Sequence, residues 1–214
     1  MLYEIYPTES LAALLKTFKE VGGVIDYVLV GDISPGDFAD TYAFHKAAAG
    51  FTIEAVSSRY PQSLEKGPAS RREPEKAEGI QITPEEFFAP GYSGIPFELT
   101  RTLSRKQLEK ERLKLDPNIF SPGVTGKYLN NYHAAFSYPP YHFQGLVDHE
   151  EERLFPNINR ELFGNDENAL TIYKWSTDWA DYFNDGQEWW GSFLWTVYST
   201  ETQLLVGIAA STSD

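Results

Sequence analysis

Leu11, Leu14, Leu15 and Phe18 stand three and four residues apart, which places them on one face of a helix. Thr8 is set to cap that helix and Gly22-Gly23 to end it. Val24 to Val30 is rich in β-branched and aromatic residues and predicts a short strand. Ser34-Pro35 then supplies a cap and a first-turn proline, predicting a helix to about Ala49, where Gly50 stops it. Thr83-Pro84-Glu85-Glu86 has the residue types of a capping box, and Pro90-Gly91 closes the short helix that follows. Ser104 opens a weakly amphipathic helix that ends before Asp116-Pro117. From Tyr128 to Phe143 the chain is aromatic around Pro139-Pro140, and a strand leading into a rigid loop is expected. Leu154, Phe155, Ile158, Leu162 and Phe163 mark a helix that Gly164 terminates, with Pro156 in its first turn.

The clearest alternation comes last. Leu170 to Trp175 reads as one strand. Phe193, Trp195 and Val197 face one way in a second strand, and Leu194, Thr196 and Tyr198 face the other. Leu204, Val206, Ile208 and Ala210 repeat the pattern after a turn at Ser199 to Thr202. Helices first and strands last predict an α+β fold, a C-terminal antiparallel β-meander packed against several helices. Residues 61–79 hold three prolines, two glycines and almost nothing apolar, the composition of a polar linker or surface loop. They divide a small N-terminal α/β lobe (1–60) from a main α+β domain (80–214), unless the whole chain forms a single domain.

Composition narrows the chemistry. An apolar fraction of 42% and an aromatic fraction of 15% support a real core. The absence of cysteine excludes disulfides, thiolate metal sites and cysteine nucleophiles. Acidic residues near the N-terminus and the lack of a long apolar run argue against a leader or a membrane span, so a cytoplasmic protein is expected. Net charge is −13, which repels nucleic acid and anionic lipid and attracts basic partners. The charge is unevenly spread. Residues 101–115 carry six basic side chains against two acidic ones, whereas from Gly145 onward three basic residues face thirteen acidic ones.

Within that acidic third, Trp175 to Tyr198 holds all five tryptophans, four carboxylates and no basic residue. Asp178, Asp181 and Asp185 are three and four apart and share a face if the segment is helical. One reading is a glycosidase, with Glu188 and an aspartate flanking the scissile bond and aromatic rings stacking on sugars. Another is a protein-binding surface, in which Asp178, Asp181, Asp185 and Glu188 steer a basic partner and Trp179 and Trp189 are reachable anchors. Trp175, Trp190 and Trp195 then belong to the strands and the core. A third reading is a scaffold or phage-associated structural protein. His45, His133, His142 and His149 lack the spacing of a zinc site and are expected to be ordinary surface histidines. No dinucleotide, P-loop or nucleophile-elbow motif occurs, and no metal or cofactor is expected.

Tyr182-Phe183, Gly186, Glu188-Trp189-Trp190-Gly191, Trp195-Thr196-Val197-Tyr198 and the strand ending Ala209 to Asp214 form a pattern of their own. It resembles the C-terminal signature of small uncharacterised bacterial proteins found beside polymorphic and contact-delivered toxins. The resemblance covers roughly the last fifty residues, and Glu-Trp-Trp-Gly is its most specific part. It implies an immunity protein that neutralises a cognate toxin by occlusion. No catalytic residues come with it.

Overall fold

The computed structural model describes residues 2–31, 35–60, 71–88, 131–137, 139–141, 143–145, 150–184, 186 and 191–211. Among these residues lie five helices and one five-stranded sheet, so the fold is α+β. The helices are α1 (Glu9–Glu20), α2 (Thr41–Arg59), α3 (Pro84–Phe88), α4 (Tyr132–Ser137) and α5 (Glu150–Phe163). The strands are β1 (Asp26–Val30), β2 (Gly79–Ile82), β3 (Leu170–Trp175), β4 (Ser192–Ser199) and β5 (Leu204–Ser211). Their spatial order is β1-β5-β4-β3-β2, with every neighbouring pair antiparallel.

The C-terminal meander β3-β4-β5 forms as its alternation predicts. Phe193, Trp195 and Val197 enter one core with Val206, Ile208 and Ala210, covered by α1, α3, α4 and α5. Leu194 joins Leu205, Ala209, Val28 and Val30 in a second core under α2. Period-two patterning thus separates two apolar faces, each closed by helices. β1 lies beside β5, with Asp26 opposite Ala209 and Val30 opposite Leu205, so the first and last strands share one sheet. Close approach of α2 to that sheet requires Gly207, where an added Cβ would collide with Thr52.

Local signals hold in several places. Thr8 caps α1 by accepting from the Leu11 amide. Thr83 and Glu86 form the reciprocal capping box, with Glu86 N donating to Thr83 Oγ1 at 3.1 Å and Thr83 N donating to Glu86 Oε2 at 2.8 Å. Gly164 ends α5 at φ 81°, and the Glu201 carboxylate accepts from the next two amides, Asn165 and Asp166.

Three expectations are corrected. Pro35–Asp37 is only a 3-10 turn; the helix starts at Thr41 under an Asp40 cap and runs through Gly50 to Arg59. Tertiary packing offsets the roughly 1 kcal/mol helix cost of glycine there, because Pro74 packs against that point, 3.1 Å from where a Cβ would stand. Tyr132–Ser137 is helical rather than extended, capped by Asn131, with Tyr132 stacked on Phe87 and Phe136 on Phe18. Their spacing of four puts both rings on one helical face. Pro156 is the seventh residue of α5 rather than part of its first turn. The helix expected from Ser104 lies outside the described residues.

Candidate functional site

Between β3 and β4 the acidic aromatic segment leaves the sheet. Ser176 and Thr177 lead into a turn at Asp178-Trp179, Ala180 makes an isolated bridge, and Asp181–Phe183 is a single 3-10 turn. Asp178 and Asp181 therefore do not share a helical face. Asp178 is exposed and Asp181 half-buried. Asp185, Glu188, Trp189 and Trp190 lie outside the described residues.

Trp179 corrects the sequence reading. It is 1% exposed and packs in the α2-side core against Phe183, so it is no surface anchor. Its indole Nε1 donates to Ser176 O at 2.7 Å, so the loop's own backbone satisfies the donor that burial would otherwise orphan. Trp175 and Trp195 are buried as expected.

The turn is held by a segment that reads as solvated loop. Glu73 N donates to Trp179 O and Asp181 N to Arg71 O, each at 3.0 Å, which lays residues 71–73 antiparallel along 179–181. Arg71 then closes on the acids. Its amide donates to Asp181 Oδ2 at 2.7 Å, Nε lies 3.5 Å from Asp181 Oδ1, and an Nη donates to the Asp178 carbonyl at 2.7 Å. Asn184 Nδ2 also donates to Asp181. These donors tie the Asp181 carboxylate to its own chain, which does not resemble an acid aimed at a glycosidic oxygen. The Asp178 carboxylate has no such partner among the described residues.

Beside this turn lies a node that sequence reasoning missed. Asp26, 5% exposed at the start of β1, pairs with Lys19 Nζ at 2.9 Å and accepts from Tyr60 Oη at 3.0 Å and Tyr182 Oη at 3.2 Å. A buried carboxylate is tolerable only with partners of this kind. Burial, reinforced by the Asp26 charge, pushes the Tyr60 hydroxyl up to about 12 and the Tyr182 hydroxyl well above its ordinary value. Both therefore stay protonated and donate. Tyr60 still exposes 42% of its surface and stands on the same node as Tyr182, the residue after Asp181. The available signal was one acid within the apolar run Val24 to Val30.

His45 corrects another expectation, because it is fully buried rather than superficial. Its Nδ1 lies 2.8 Å from Thr196 Oγ1, which also accepts from Trp175 Nε1 at 2.9 Å. The hydroxyl keeps a second lone pair and its own proton after accepting from Trp175, so it can serve either tautomer of His45, whose buried Nε2 has no partner. Desolvation holds His45 down to about 4, and His133, edge-on to Phe155, down to about 4 for the same reason. Neither bears the charge of a surface histidine at neutral pH. His142 and His149 lie outside the described residues. Among the described residues no three His, Asp or Glu side chains group as metal ligands, and no helix is long and apolar enough to cross a membrane.

Asp181 is followed directly by Tyr182, which meets the part-exposed Tyr60 on Asp26, and Asp178 stands exposed in the turn before them. Exposed acids near a part-exposed aromatic ring are residue types that a binding surface uses. Comparisons with protein-family models, with curated proteins and with solved structures found no match.

Proposed function

We propose that this chain is an immunity-type protein that occludes a basic toxin through the acidic surface between β3 and β4. The observation that carries the reading is the exposed Asp178 and half-exposed Asp181 beside Tyr60 and Tyr182, on a chain of net charge −13. Acids at the rim of an interface accelerate encounter with a cationic partner, and tyrosine supplies contact area at low conformational cost. In this proposal Asp185, Glu188 and Trp189 extend the surface by sequence, Tyr60 takes the place of Trp179 as anchor, and the protein acts in the cytoplasm.

The test is coexpression with toxins encoded beside the gene, followed by association kinetics with the one it protects against. Asp178→Lys is the informative variant, because only its backbone carbonyl is engaged by Arg71. Association should slow several-fold and lose part of its salt dependence, with protection weakened. Unchanged association rate and salt slope would remove this surface from the interface. Failure to protect against any neighbouring toxin would end the immunity reading.

A further inference from the structure

A separate cleft of about 740 Å³ opens between α2 and the segment that carries Arg71. Leu2, Phe51 and an edge of Trp179 form its apolar lining, and Lys46, Glu54, Arg72 and Glu75 supply its charge. In an extended segment consecutive side chains point oppositely, so Arg71 turns to Asp181 while Arg72 turns into the cleft. Lys46 is held by a 2.8 Å bond to the Glu75 carbonyl.

Several charges on the same two segments are matched. Arg71 is paired with Asp181, Lys76 with Glu73, and Arg59 with Glu4. Arg72, Glu54 and Glu75 in the lining break that pattern, since none of these side chains has a hydrogen bond or ion pair among the described residues. One free guanidinium and two free carboxylates thus border the same apolar lining. An anion alone would meet Glu54 and Glu75, and a cation alone would meet Arg72 and Lys46. A ligand carrying both signs around an apolar body matches all of them. The volume falls within the roughly 300–1,000 Å³ of small-molecule sites.

We propose that this cleft binds a short zwitterionic peptide with an apolar side chain, its carboxylate on Arg72 and its ammonium group on Glu54. The guanidinium fork suits a carboxylate in two-point contact. The inference is independent of toxin binding.

The experiment is calorimetric and NMR titration of the whole chain with the dipeptide Phe-Leu, its N-acetylated form and its C-terminal amide. Saturable binding of the free dipeptide at a Kd of about 1 mM or tighter is expected. Each blocked end should weaken binding by up to about fivefold, the worth of one exposed ion pair. Glu54→Gln should weaken the free dipeptide but leave the acetylated one unchanged, and Arg72→Gln should do the same with respect to the amide. Both residues are exposed, so unchanged circular dichroism and Tm confirm intact variants. The proposal is overturned by lack of saturation at about 10 mM, or by affinity indifferent to either blocked end or to either substitution.

Discussion

Replacing Thr196 with valine keeps the side-chain shape and removes one oxygen at the centre of the α2–sheet contact. That oxygen accepts from Trp175 Nε1 and bonds His45 Nδ1, at 2.9 and 2.8 Å, where Thr196 and His45 are fully buried and Trp175 is 3% exposed. Valine leaves both ring nitrogens without a partner in a site water does not reach. An orphaned buried polar group costs about 1–3 kcal/mol, so the variant should lose about 2–5 kcal/mol. For a chain of this size that corresponds to a Tm lowered by roughly 5–15 °C. Serine is the control, since it keeps the oxygen and loses one methyl group, at about 1 kcal/mol. Urea unfolding followed by circular dichroism, supported by thermal scans, orders wild type, serine and valine. A valine variant as stable as the serine variant would refute the reasoning, because the hydroxyl would then hold nothing that matters.

Stability should also fall with acid in a definite window. His45 and His133 titrate near 4 in the folded chain and near 6.5 when unfolded, so their neutral forms stabilise fully above about 6.5 and that contribution is lost as pH falls to about 4. Each gap is worth on the order of 3 kcal/mol, and His45→Gln should flatten part of the slope in urea titrations; an unchanged slope would contradict this. Asp26→Ala should cost about 3 kcal/mol at neutral pH, since it strips Lys19, Tyr60 and Tyr182 of their shared acceptor. Lys19→Ala, at the half-exposed side of the pair, should cost less, and the reverse order would count against the node.

The meander was legible because strict alternation leaves one register that buries both faces, and the Thr83–Glu86 cap because its chemistry is complete within four residues. What escaped was whatever depended on a distant partner. Gly50 looks like a helix stop until Pro74 is set against it. Trp179 looked exposed because it lies in a polar connection, but the bond to Ser176 O lets the whole indole be buried. Asp181 carried no sign that Arg71, 110 residues earlier, would claim it. Asp26 showed an anomaly, an acid in an apolar strand, without naming the tyrosines that resolve it.

The pairing of β1 with β5 has a consequence for synthesis. Residues 26–30 are made early, yet their only strand neighbour among the named strands comes from residues 204–211. Until that last strand has cleared the ribosome, Val28 and Val30 have no adjoining strand and α2 lacks the Gly207 surface on which it seats. The sheet therefore closes only after translation of β5, with the slow kinetics of long-range antiparallel pairing and a nascent chain exposed to aggregation meanwhile. Truncation before Leu204 should leave a chaperone-dependent chain rather than a smaller folded unit, because it removes the strand that joins the first and second halves of the molecule.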